Sequence, residues 1–118
     1  DADFSRAKLE RADLRGADLR GAQFEETLAR DARFDLAKLD RAQLPRCDAR
    51  RAHFNHASCR FADFSHARLE LADFTDAVID GSLMHEVRID GATWTNTSAR
   101  NVQQTDGQLS SAQRFKPG

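Results

Sequence analysis

The residues of this chain best equipped for chemistry are two cysteines, Cys47 and Cys59, and four histidines, His53, His56, His66 and His85. Imidazole nitrogen and thiolate sulfur could hold a metal ion, and a histidine beside a serine and an aspartate could run nucleophilic catalysis. Either chemistry needs side chains that converge. No readable motif sets Ser, His and Asp as a triad, and neither a Gly-rich phosphate loop nor a paired-carboxylate motif is present. Whether the histidines meet depends on the elements that carry them.

Those elements are set by a period of five. From Phe4 to Ala99 every fifth residue is apolar, twenty in all, and alanine stands two residues before it at fifteen of the twenty sites. The exceptions, Thr27, Cys47, Ser82, Val87 and Thr97, are small or β-branched. An α-helix turns about 100° per residue, so residues five apart would wander round the cylinder and no face could bury them. A straight strand alternates faces, so an odd period would send successive central residues to opposite sides. A chain that bends by a quarter turn every five residues points every central residue, and its small partner, at one axis. The repeat predicts a coil with a filled interior.

The pattern is clearest in Ala12-Asp13-Leu14-Arg15-Gly16, Ala17-Asp18-Leu19-Arg20-Gly21 and Ala62-Asp63-Phe64-Ser65-His66. In these runs the chain resembles the pentapeptide repeat proteins, whose consensus is alanine, then aspartate or asparagine, then leucine or phenylalanine, then two variable residues. The likeness covers about residues 2–102. It implies an all-β fold, a right-handed quadrilateral β-helix with four pentapeptides per coil. About five coils at about 4.8 Å each would make a rod about 24 Å tall.

With four pentapeptides per coil, residues twenty apart stack in columns. One core column then holds Phe4, Phe24, Leu44, Phe64 and Met84, and the opposite one Leu14, Phe34, Phe54, Phe74 and Trp94. The other two are mostly smaller, which keeps the interior volume even. Cys47 falls in an alanine slot and Cys59 in a central slot, both inward and across the coil from each other, so they are expected as buried reduced thiols. The histidines fall in outward slots of opposite faces and do not converge. No metal, no cofactor and no enzymatic activity are expected. Gly16, Gly21, Gly81 and Gly91 all take the last slot of a pentapeptide, where the corners turn tightly.

Composition bounds the partners. The chain of 118 residues is 31% charged with a formal net charge of −1, which marks neither a basic nucleic-acid binder nor a strongly acidic tail. It has no run of about 18 apolar residues and no signal-peptide pattern, so no membrane span is expected. It starts in phase at Asp1 without a methionine, which predicts a segment of a longer protein. After Ala99 the repeat degenerates, so residues 1–102 are expected as the β-helix and 103–118 as a degenerate repeat, a C-terminal cap or a tail.

Function is left to the outward residues. The faces around Phe4 and Phe34 carry an acidic excess, the two between them a basic one. The column Arg20, Asp40, Arg60, Asp80, Arg100 alternates in sign and predicts a ladder of cross-coil ion pairs. Some family members resemble B-form DNA and bind DNA gyrase through a strongly acidic rod, so one implied function is a DNA-mimicking inhibitor or protector of gyrase. Here Arg50-Arg51 and the alternating column break any acidic stripe.

The other implied function is favoured: a non-catalytic protein–protein interaction scaffold within a larger bacterial protein. Its partner would be a component of a secretion apparatus or an effector, and self-association is open to it. The setting would be the bacterial cytoplasm, or delivery with a larger secreted protein. Phe61, Val78 and Leu83 are apolar in outward slots around one corner and are the expected docking patch. Leu28, Leu36 and Leu71 look scattered.

Overall fold

The computed structural model describes residues 2–104. The chain winds as a right-handed quadrilateral β-helix whose coils are tied by parallel bridges between residues twenty apart, from Asp3 with Gln23 to Leu83 with Gln103. Each bridge falls on the residue before a central one, so every pentapeptide gives one short straight side and one two-residue corner. Going round the coil, the first face carries Phe4 and its column, the second Leu9, Ala29, Ala49, Leu69 and Ile89. The third carries Leu14 and its column, and the fourth Leu19, Leu39, Cys59, Ile79 and Ala99. Bridging reaches Gln103, and the rest of the expected cap or tail over 103–118 lies, beyond Gln104, outside the described residues.

Backbone hydrogen bonding explains why this geometry repeats. In each pentapeptide the central N–H donates to the next coil, as from Phe24 to Gln43 at 2.6 Å, and the residue before it donates to the previous coil, as from Gln23 to Ala2 at 2.8 Å. The second corner residue also donates upward, as from Arg6 to Glu25 at 2.9 Å, and the corner is closed by the following small residue, as from Ala7 to Phe4 at 2.9 Å. Four of five N–H groups are thereby satisfied by backbone. The fifth, on the first corner residue, faces outward.

That fifth donor accounts for the aspartates of the repeat. Asp3, Asp13, Asp18, Asp48, Asp63 and Asp73 all stand immediately before a central residue, and each accepts the N–H two positions on, at 2.9 to 3.4 Å. This is the local side-chain to backbone bond that makes aspartate a turn former.

The corners themselves are type II turns, since their second residue has positive φ and their first does not. Pro45 fits as the first residue of such a turn. Sixteen non-glycine residues hold φ between 53° and 62° at the second position, a conformation that costs an L residue roughly 1–2 kcal/mol. Ladder bonding on both sides holds them there. Gly81 and Gly91 answer a further demand: a Cβ on either would come 2.6 Å from the side chain one coil below, the Phe61 ring or the Leu71 methyl.

The interior is continuous from Leu19 to Ile89. Rings of the first and third faces stack along their own columns, Phe4 on Phe24 at 5.1 Å, and Phe34, Phe54, Phe74 and Trp94 in series at 5.0, 4.6 and 4.6 Å. Across the axis the two columns meet edge to face, Phe24 with Phe34 at 5.9 Å and Phe64 with Phe74 at 6.0 Å. Thr27 and Thr97 fit alanine slots because each hydroxyl donates to a carbonyl one coil down, of Phe4 and Phe74, at 2.8 Å. Cys47 and Cys59 are buried free thiols, and burial pushes the Cys47 thiol up to about 12 and the Cys59 thiol upward as well.

Candidate docking surface

The charges on the outer surface are mostly engaged, but not as the alternating column predicts. Asp40 accepts the backbone N–H of Arg60 at 3.0 Å and the Ser58 hydroxyl at 2.6 Å. Asp80 repeats this with Arg100 at 3.0 Å and Ser98 at 2.7 Å. These aspartates cap the outward donor of the next coil, because serine precedes the central residue there and has no carboxylate to do so. Arg20 forks onto Asp18 of its own face at 2.7 and 2.8 Å, as Arg15 does onto Asp13 and Arg50 onto Asp48. The bidentate contacts hold the Asp13 and Asp18 carboxyls down at about 2.

Cross-coil pairs stand at the corners instead. Arg6 lies 3.5 Å from Glu26 at the first corner, Arg51 forks onto Asp31 at 3.0 Å at the second, and His56 lies 3.4 Å from Asp76 at the third. Side chains on left-handed residues splay away from the faces, so neighbours one coil apart meet there. Among the described residues, no three His, Cys, Asp or Glu side chains gather at metal-binding distance, and no helix is long and apolar enough to cross a membrane.

The fourth corner differs from the rest. Its column reads Gly21, Arg41, Phe61, Gly81 and Asn101. Phe61 is 54% exposed, with the Arg41 guanidinium carbon 5.0 Å from its ring centre and the Gly81 corner against the ring. A cation over a ring face is attractive by about 0.5–1 kcal/mol at exposed sites. Val78 and Leu83 lie on the sides that enter and leave the Gly81 corner, both half-buried, bridged to Ser58 and Ser98 and to Asp63 and Gln103.

Two of the outward leucines that look scattered in the sequence stand out on the surface as well. Leu36 and Leu71 are 65% and 59% exposed, more than Phe61 itself. Both occupy the second corner position, where positive φ turns the side chain outward, at the third and second corners respectively. For Leu71 the sequence carries a signal, because Gly91 twenty residues on leaves room for a side chain lying flat on the next corner; at Leu36 that position is His56.

The repeat itself is shared with known proteins. The sequence matches the family description "Pentapeptide repeats (8 copies)" over residues 1–35, 17–55, 32–70 and 52–91. It matches none of the curated proteins compared. Among solved structures it is similar to a pentapeptide repeat protein from the thylakoid lumen of Arabidopsis thaliana, 30% identical with a TM-score of 0.72, over 75% of this chain and 61% of that one. It is also similar to HetL, a pentapeptide repeat protein involved in heterocyst differentiation regulation from the cyanobacterium Nostoc sp. strain PCC 7120. That match is 24% identical with a TM-score of 0.62, over 82% of this chain and 51% of that one. A third likeness is to QnrB1, a plasmid-mediated fluoroquinolone resistance protein, 17% identical with a TM-score of 0.57, over 90% of this chain and 80% of that one. The chain thus spans less than two thirds of the first two structures.

Proposed function

Because the chain belongs to the pentapeptide repeat family, we propose that it is a rigid, non-catalytic scaffold that docks another protein through the fourth corner, with Phe61 as anchor and Val78 and Leu83 as its rim. One observation carries this reading: Phe61, a large apolar residue, is more than half exposed while its ring lies against the Arg41 guanidinium and the Gly81 corner. Aromatic and arginine side chains dominate binding energy at protein interfaces, and a ring flanked by Arg41 and Gly81 has less rotamer freedom to lose on docking. The ladder-bonded backbone beneath it gives a partner a surface that does not rearrange.

In this reading the chain is the repeat module of a larger bacterial protein, and its partner is a secretion-apparatus component or an effector, as the family resemblance implies. Gyrase mimicry finds little support in a surface on which arginines pair with Asp13, Asp18, Asp31, Asp48 and Glu70 and so interrupt any acidic stripe. The test is affinity capture from bacterial lysate with mass spectrometry, together with a gyrase supercoiling assay on the same protein. Specific recovery of secretion or effector proteins with normal supercoiling supports the scaffold. Recovered gyrase with inhibited supercoiling overturns it.

A further inference from the structure

The second corner presents a chemically different surface. Glu10, Arg11, Arg30, Asp31 and Arg51 line an open depression of about 420 Å³. Its walls are three guanidiniums and two carboxylates, so an apolar small molecule has nothing there to bury against. The guanidiniums are unequally engaged. Arg51 is forked onto Asp31, but Arg30 stands 3.7 Å from Glu10 and 3.9 Å from Asp48, longer than a hydrogen bond. Arg11 has no carboxylate within ion-pair distance among the described residues. Two neighbouring arginines therefore keep donors free for an incoming carboxylate, which the guanidinium fork matches in a bidentate way. Leu71 stands next above Arg51 in the same column, 59% exposed and lying against the Gly91 corner.

We propose that the second corner docks an extended acidic peptide of a partner protein, with one carboxylate gripped by Arg11 and Arg30 and an apolar residue three or four positions along resting on Leu71. The spacing fits. Coils are about 4.8 Å apart, so Leu71 lies two to three coils, roughly 10–14 Å, from the arginines, and an extended peptide rises about 3.3 Å per residue. Glu10 and Asp31 set the class of partner. They offset two of the three positive charges of the depression, so Arg11 and Arg30 can grip one isolated carboxylate while the continuous phosphates of a nucleic acid meet repulsion from Glu10 and Asp31. This surface is independent of the Phe61 corner and goes beyond it.

The test is fluorescence anisotropy with a fluorescein-labelled peptide, Glu-Glu-Ser-Ser-Leu-Ser, at low salt against the whole chain. Saturable binding with a dissociation constant of about 1 mM or tighter is expected. Replacing both Arg11 and Arg30 with glutamine should weaken it by about tenfold, and Leu71→Ser by about threefold. A charge-matched control, Arg46→Gln with Arg100→Gln, and Phe61→Ser should each leave it within about twofold. Absence of binding, equal weakening by the control pair, or retention of binding without Arg11 and Arg30 overturns the proposal. So does a labelled DNA duplex that binds with the same arginine dependence in the peptide's place.

Discussion

Truncating Phe54 to alanine probes the stack at its centre. The side chain is fully buried, its ring 5.0 Å from Phe34, 4.6 Å from Phe74 and 6.1 Å from Phe64. Phenylalanine-to-alanine changes in cores cost about 3–5 kcal/mol, the larger values where the cavity cannot collapse. Here collapse is blocked, because the Phe54 N–H is tied to Asp73 at 2.8 Å and the His53 N–H to Ala32 at 2.9 Å, on opposite sides of the coil. The loss of three ring pairs also places the expected cost near the top of that range, about 4–5 kcal/mol. Phe4 in the same molecule is half-buried with one stacked partner, Phe24, so Phe4→Ala should cost only about 1–2 kcal/mol. Guanidinium unfolding followed by circular dichroism and by Trp94 fluorescence reads both. With a slope of about 4 kcal/mol/M, the Phe54→Ala midpoint should fall by about 1 M. A Phe54→Ala loss under about 2 kcal/mol, or equal losses for the two variants, would refute the stacked-column reasoning.

Acid should loosen the rod. Arg15 and Arg20 hold Asp13 and Asp18 at about 2, and the Ser5 N–H lowers Asp3. Folded pKa values below the unfolded value of about 3.9 give a contribution present above that pH and lost as pH falls from about 5 toward 2. Melting temperature should decline across that window, less steeply when Asp13 and Asp18 are both asparagine, and an unchanged melting temperature down to pH about 2.5 would contradict the account. The Cys47 and Cys59 thiols, raised by burial, should resist a thiol reagent at pH about 8 in the native state and react only as the chain opens; prompt labelling would contradict their burial. Gly81→Ala should cost about 1–2 kcal/mol for its backbone alone, and more where the Phe61 ring must move aside. Calorimetry should find a smaller loss when Phe61 is already serine, and equal losses would show that the ring does not rest on Gly81.

The interior was legible in the sequence because a period of five admits a single arrangement that buries every central residue. The stacked rings of Phe34, Phe54, Phe74 and Trp94 follow directly from it. The corners were harder. Charge alternation through Arg20, Asp40 and Arg60 says nothing of direction, and the corner conformation decides which side chains lean together; thus Asp40 caps a backbone donor while Arg51 and Asp31 pair across coils. Leu71 was legible as an outward apolar residue, but how far it stands out was not, since that comes from positive φ at the corner and not from polarity. The role of the repeat's aspartates needed the backbone account, in which one N–H per pentapeptide is left to a side chain.

The claim that the fourth corner docks a partner is tested most directly by replacing Phe61, Val78 and Leu83 together with serine. Partner capture and self-association of this variant would be measured beside the unaltered chain, after circular dichroism confirms that both are folded. Loss of the captured protein with the coil intact is the predicted result. Capture and self-association that match the unaltered chain would contradict it.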